Sequence, residues 1–203
     1  MAVSDGAAIR SIKGMGLVAE VFSDAGLDQM PGGAGIGHVL NRPRPAVGDI
    51  EGTSSLQPFV FRFVGGMMAV ALNGKISNAE DIRERLGLGG VVFQSDSDSE
   101  VVGCLIARHY SHGMGGAIER TVDELAGAYS FVVLYENSLY AARDRWGFRP
   151  LVLGSGEAGN GVASESCALD VLALTDRRDV RAGEIVEITR SGVRTVRRGE
   201  DNP

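Results

Sequence analysis

The chain has 203 residues and a formal net charge of −6 at pH 7, and 44% of its residues are hydrophobic and 23% charged. This composition excludes an intrinsically disordered chain, and no apolar run approaches the roughly 18 residues that a membrane-spanning helix needs. Arginines are distributed along the chain, and tight basic groups such as Arg194 with Arg197 and Arg198 are short, so the basic surface expected of a nucleic-acid-binding protein is not indicated and one soluble domain is expected.

The first third of the chain alternates strand patterns with glycine-rich breaks. Residues 1–6 are typical of the end of a strand entering a turn, and residues 7–13 predict a second strand. A helix is predicted over 17–22 and another strand over 34–39. The proline- and glycine-rich stretch 40–57 has few large apolar groups and predicts a long loop, which in a compact domain is often functional.

Two strands and an Asn-Gly pair are predicted directly after this loop. Residues 59–64 alternate as in a strand, and 67–72 form an apolar run typical of a strand covered on both faces. Asn73 and Gly74 then predict a tight turn at the edge of the sheet. A second interpretation is chemical, because an asparagine amide donates two hydrogen bonds and a glycine lets a ligand approach the backbone, as oxyanion-stabilising groups do.

A helix is predicted directly after this break. Residues 77–80 have the S-x-x-E form of a capping box, and glycines at 89–90 predict the helix end. Ile82, Leu86 and Leu88 would form its apolar stripe.

A second capping box follows a short predicted strand at 91–93. Ser97 and Glu100 form the box, and the helix is expected to continue to residue 110. Asp98 would lie in the first turn, where the helix dipole favours an acidic side chain. The position of Asp98 is therefore accounted for by helix stability, and the sequence pattern by itself does not assign it a binding role.

The remainder of the chain is dominated by hairpin patterns. Helices are predicted over 117–125 and 167–174, and strands over 128–135, 138–143, 151–154, 161–164, 184–189 and 193–196. Paired antiparallel strands with helices inserted between them predict an α+β fold, in which helices cover the outer faces of mostly antiparallel sheets.

The chain contains two cysteines, Cys104 and Cys167, and three histidines. The cysteines have no C-x-x-C spacing and lie among apolar or small residues, so neither a metal site nor a disulfide framework is predicted, and no cofactor motif is present. The N-terminus lacks the pattern of a signal peptide, which favours a cytoplasmic protein.

Several ordered blocks resemble the glutaminase domain of the amidophosphoribosyltransferase family, a group of class II glutamine amidotransferases that act in purine biosynthesis. The blocks are Lys13-Gly14-Met15-Gly16-Leu17-Val18, Ile36-Gly37-His38-Val39, Gln57-Pro58-Phe59, Asn73-Gly74 with Asn78-Ala79-Glu80, Ser97-Asp98-Ser99-Glu100, Gly127-Ala128-Tyr129-Ser130, Ala142-Arg143-Asp144 with Gly147-Phe148-Arg149-Pro150-Leu151, and residues 163–170. Together they extend over most of the chain.

The resemblance implies a four-layer α/β/β/α sandwich of the N-terminal-nucleophile hydrolase type, formed by residues 1–203. In such enzymes an N-terminal cysteine attacks the glutamine amide, its own α-amino group acts as the base, and the ammonia passes to a phosphoribosyltransferase domain. By position, Asn73 and Gly74 are expected to form the oxyanion hole. Asp98 is expected to hold the α-ammonium of glutamine or glutamate.

The sequence also departs from the family pattern. The family places its nucleophile well ahead of the segment that begins here at Ala2, so we expect a truncated N-terminus and no nucleophile. Because the sequence ends at Pro203, we expect no phosphoribosyltransferase domain. Leu40 replaces an arginine that would bind the substrate carboxylate, for which Arg42 or Arg44 could substitute only if the loop refolds. Leu72 replaces a histidine.

These departures leave alternatives open. The chain is an amidotransferase fragment without glutaminase activity, a non-catalytic pseudo-glutaminase that binds a ligand or assists assembly, or a relic without a ligand. The expected partner is a phosphoribosyltransferase domain or a second copy of the chain. The aromatic and arginine-rich loop at 143–149 would contact that partner or pack against its own sheet.

Overall fold

The computed structural model of the protein describes residues 1–40 and 56–199. The strands in this part of the chain are β1 (Ala2–Ser4), β2 (Ile9–Ser11), β3 (Ala34–Ile36), β4 (Phe59–Phe63), β5 (Gly66–Ile76), β6 (Gly127–Tyr135), β7 (Ser138–Arg143), β8 (Val152–Gly156), β9 (Gly159–Ala163), β10 (Asp176–Asp179), β11 (Ile185–Thr189) and β12 (Gly192–Arg197). The helices are α1 (Val18–Val21), α2 (Asp24–Leu27), α3 (Ala79–Leu88), α4 (Asp98–His109), α5 (Gly113–Glu124) and α6 (Ser166–Val171).

A six-stranded antiparallel sheet in the order β12-β11-β7-β6-β5-β4 forms the centre of the fold. Its longest pairing joins β5 and β6 in continuous register from Met68 opposite Tyr135 to Ile76 opposite Gly127. Both strands are rich in apolar and β-branched residues, as expected for strands that are covered on two faces.

One face of this sheet is covered by α3, α4 and α5. Alternate residues of β5 point to this side, since the side chains of a strand alternate between the two faces of its sheet. The helices contribute apolar side chains at helical spacing, and together they form the largest core of the molecule. Its fully buried members include Met68, Val70, Leu86, Val101, Leu105, Ile106 and Ile118.

The opposite face is covered by two separate three-stranded sheets, β2-β1-β3 and β10-β8-β9. Each has its own smaller apolar cluster against the central sheet. On the outer side of the second small sheet, Leu169 of α6 lies against Gly154 and Gly161, which are cross-strand partners. The four-layer α/β/β/α arrangement and the mostly antiparallel sheets expected from the resemblance are therefore confirmed.

The predicted turn at Asn73 and Gly74 is wrong. β5 continues through both residues to Ile76, with Asn73 opposite Ser130 and Gly74 opposite Tyr129. The strand continues because β6 offers backbone partners along this whole stretch, and glycine allows an unusual conformation without ending the ladder.

The helix after this strand also differs in detail from the prediction. It begins at Ala79 with Asn78 as N-cap, and the predicted capping box at 77–80 is not formed. The Asn78 side chain instead donates to the Glu124 carbonyl and accepts from the Ala126 N–H, at 2.9 Å each. Leu88 is 87% exposed and is not part of the apolar stripe.

Other elements were shifted or missed by the sequence patterns. Residues 91–93 form no strand, α5 begins four residues before the predicted start, and α2 and β10 were not predicted. Arg42 and Arg44, the suggested replacements for the missing arginine, lie outside the described residues. Within residues 1–40 and 56–199, no helix has the length and apolarity needed to cross a membrane.

Candidate functional site

Asn73 lies on the side of β5 that faces away from the helices, and its side chain is exposed, whereas Leu72 before it is buried. It lines a cleft of about 110 Å³ over β5 and β6, between the residues that follow β3 and the end of β9. His38, Ser130 and Ser164 also line this cleft. An amide that can donate two hydrogen bonds is therefore presented to a pocket with polar neighbours.

Gly74 has a backbone conformation that only glycine tolerates at this position. Its φ is +123°, and a Cβ atom there would lie 2.1 Å from the carbonyl oxygen of Ala128 on the paired strand. A side chain is thus excluded both by strain and by backbone that cannot move aside. The sequence correctly indicates that Asn73 and Gly74 form a special backbone position, although it assigns them to the wrong element.

Asp98 is buried in the first turn of α4, with 7% of its surface exposed. Its Oδ2 accepts the Ile76 N–H at 2.8 Å, and its Oδ1 lies 3.0 Å from the Lys75 Nζ. The carboxylate is therefore tied to the end of the same strand that carries Asn73. It is not among the residues that line the Asn73 cleft.

The position of Asp98 is fixed by the segment before α4. The Glu100 carboxylate accepts the Gln94 and Ser95 N–H groups at 2.7 and 2.8 Å. The Arg83 guanidinium donates to the Ser95 and Ser97 carbonyls at 2.8 and 2.7 Å. Ser97 is the N-cap, as predicted, but Glu100 binds these upstream amides instead of completing the box.

Two residues near the cleft were not identified as site residues from the sequence. The Gln57 side chain accepts the Leu72 N–H at 2.6 Å and donates to the Leu72 carbonyl at 3.2 Å, so its amide pairs with β5 as a neighbouring strand would. Burial lowers the pKa of His38 below its ordinary value of 6.5, against an opposing interaction with the Leu72 backbone. The Gln57-Pro58-Phe59 block and His38 belonged to the resemblance, which was the available signal.

Neither cysteine lies in the cleft. Cys104 is on α4, and burial, together with the nearby Glu100 carboxylate, raises its pKa to about 11. Its thiol is therefore protonated at neutral pH and is a poor nucleophile. Cys167 is exposed on α6, with its Sγ 3.6 Å from a Glu165 carboxylate oxygen.

The loop at 143–149 is organised from within by its first two residues. Arg143 donates to the carbonyls of Gly147, Arg149 and Val180 at 2.7 Å each. The fully buried Asp144 carboxylate accepts three backbone N–H groups, two of them from the loop.

This internal network leaves the aromatic residues of the loop at the surface. Trp146 is 57% exposed, with the Arg145 guanidinium 4.7 Å from its ring centroid, and Phe148 is 69% exposed. A larger cavity of about 420 Å³ lies beside the loop, and neither Asn73 nor Asp98 lines it. The cleft at Asn73 is therefore the better candidate site, because it contains the special backbone position.

Comparisons with known proteins identify the family of the chain. A family model described as a glutamine amidotransferase domain matches residues 44–171. Amidophosphoribosyltransferase of Methanocaldococcus jannaschii is 38% identical over 190 residues, which are 93% of this chain and 40% of that protein. Amidophosphoribosyltransferase 1 of Arabidopsis thaliana, a chloroplastic protein, is 40% identical over 194 residues, which are 95% of this chain and 34% of that protein.

A solved structure supports the same assignment. Glutamine phosphoribosylpyrophosphate amidotransferase from Bacillus subtilis, solved with ADP and GMP, superposes with a TM-score of 0.86 at 35% identity, covering 99% of this chain and 42% of that one. The chain thus spans well under half the length of these relatives. It belongs to the glutamine amidotransferase domain family, with the N-terminal-nucleophile hydrolase fold, and is similar to the amidotransferase region of amidophosphoribosyltransferases.

Proposed function

We propose that the chain binds glutamine, with the Asn73 amide and the Gly74 backbone next to the side-chain carboxamide and Asp98 near the α-ammonium. The observation that carries this proposal is the exposed Asn73 amide in a cleft, followed by a glycine that no other residue can replace. Donors held at such a position stabilise a developing oxyanion without needing to reorganise during the reaction.

Binding and hydrolysis have different requirements. Hydrolysis also needs a nucleophile with an adjacent base, and Cys104 and Cys167, the two cysteines of these 203 residues, lie outside the cleft. We therefore propose that the 203-residue chain binds glutamine but does not release ammonia from it on its own. The engagement of Asp98 by Lys75, with leucine at positions 40 and 72, favours a second candidate function, a non-catalytic pseudo-glutaminase that binds a ligand or assists assembly.

The names of the relatives suggest the wider setting. We propose that the chain acts in purine biosynthesis beside a phosphoribosyltransferase domain, to which ammonia from glutamine would pass if a nucleophile is supplied. The loop that exposes Trp146 and Phe148 is the proposed contact, because aromatic and arginine side chains dominate interface hot spots. A second copy of this chain is the alternative partner.

Isothermal titration of the purified chain with glutamine and with glutamate, followed by an ammonia assay on the same sample, tests the proposal. We expect binding without ammonia, and Asp98→Ala should weaken glutamine affinity by about tenfold or more, since hydrogen bonds to charged groups are the strong ones. Asp96→Ala, at an exposed position two residues earlier, is the matched control and should leave the affinity unchanged.

The other outcomes are equally informative. Absence of binding to both ligands would contradict the glutamine site. Release of ammonia would contradict the account of the two cysteines, and loss of turnover in Cys104→Ser or Cys167→Ser would then identify the thiol responsible.

A further inference from the structure

The cation that neutralises Asp98 comes from the protein itself. Lys75 follows Gly74 on β5, and its Nζ lies 3.0 Å from the Asp98 Oδ1. The Lys75 side chain is 74% exposed, whereas that of Asp98 is 7% exposed. The lysine therefore approaches the carboxylate from solvent, the direction from which a dissolved ligand would also arrive.

Two other charged groups of this region, Arg83 and Glu100, are engaged elsewhere. The Arg83 guanidinium donates to the Ser95 and Ser97 carbonyls, and the Glu100 carboxylate accepts the Gln94 and Ser95 amides. Neither group contacts the Asp98 carboxylate as a hydrogen-bond or ion-pair partner, and that carboxylate is held by the Ile76 N–H and by Lys75. An incoming ligand therefore meets a Lys75–Asp98 pair that has no net charge.

This ion pair is exposed on one side only, because the lysine is largely in water and the carboxylate is buried. A pair whose cation is largely in water gains a modest Coulomb energy and loses side-chain entropy. The Ile76 N–H already gives the buried carboxylate a backbone partner. The larger effect of the lysine is therefore on ligands, because a second ammonium near Asp98 must displace the Lys75 Nζ or share the carboxylate with it against like-charge repulsion.

We propose that Lys75 is a specificity-determining residue that competes with the α-ammonium of an amino-acid ligand for Asp98. This inference rests on the proposed function, since it assumes that a carboxamide ligand binds beside Asn73. It assigns the site a ligand class: carboxamides whose α-ammonium gains only part of the affinity that an unpaired Asp98 would give, so that the advantage of glutamine over its analogue without the α-amino group, 4-carbamoylbutanoate, is reduced.

Isothermal titration of both ligands to the full chain and to two variants tests the inference. Lys75→Met keeps most of the side-chain length and removes the charge, and it should raise glutamine affinity by about three- to tenfold, whereas the affinity for 4-carbamoylbutanoate, a net anion without an ammonium group, should not rise. Lys75→Arg keeps the charge and should preserve the ligand ratio of the unaltered chain. In Lys75→Met/Asp98→Asn the gain for glutamine should disappear, because the carboxylate that the ammonium would reach is gone.

The outcomes separate this inference from the proposed function. If glutamine binds and its affinity relative to 4-carbamoylbutanoate is the same in Lys75→Met as in the unaltered chain, the competition is overturned and the glutamine site stands. If neither ligand binds to the unaltered chain or to any variant, the glutamine site itself is overturned, and the inference fails with it.

Discussion

The two faces of the central sheet are built differently. On one face, three helices and the sheet enclose a single continuous core. On the other, two small sheets cover separate apolar clusters, and the cleft with Asn73 lies between the residues that follow β3 and the end of β9. The candidate site therefore depends on both faces, because the continuous core fixes β5 and the divided cover leaves part of that strand accessible.

Leucine truncations on the two faces test this comparison most strongly. Leu105 and Leu134 are both fully buried, the first in the helix-side core and the second in one of the small clusters. Leu105→Ala should cost about 4 to 5 kcal/mol of unfolding free energy and Leu134→Ala about 3 kcal/mol, because the cost depends on how far the surroundings can collapse. Urea denaturation measures both losses, and a larger loss for Leu134→Ala would contradict the comparison.

Gly74→Ala tests how strongly the paired strand β6 constrains the accessible end of β5. The new Cβ would clash with the Ala128 carbonyl in a strained conformation, and we expect a loss of about 3 kcal/mol. Gly66, at the start of the same strand, has a φ of +113° and open space around it, so Gly66→Ala isolates the strain and should cost about 1 kcal/mol. Equal losses in urea denaturation would show that contact with Ala128 is unimportant.

The sequence predicted the helix-covered face better than the divided one. Apolar periodicity identifies β5, β6 and α4 because each buries a regular set of side chains. The small sheet strand β10 consists of Asp176, Arg177, Arg178 and Asp179, and it was missed because it has no apolar alternation. Its pairing with β8 is set by tertiary contacts that local propensity does not contain.

The candidate site was also predicted only in part, because local patterns indicate residue types and do not contain long-range contacts. The Asn73–Gly74 pair was recognisable from its residue types, and Asp98 was found by resemblance and placed correctly in the first turn of α4. The Lys75–Asp98 pair joins residues 23 positions apart, so no local pattern indicates it. The engagement of Leu72 by Gln57 is likewise a long-range contact, across 15 positions.

A pH dependence from His38 is the smallest expected effect and tests the accessible face alone. Burial lowers the pKa of the folded-state imidazole below 6.5, so the unfolded chain binds more protons, and stability should fall as the pH drops below 6.5 until the folded-state pKa is passed. One proton limits this slope to about 1.4 kcal/mol per pH unit. Urea denaturation of the unaltered chain and of His38→Gln between pH 7.5 and 5 gives the unfolding free energy of each as a function of pH. The difference between the two curves is the contribution of His38. If the two curves stay parallel through this range, the imidazole is not held neutral by burial, and the cleft wall beside Asn73 is more open to water than its geometry indicates.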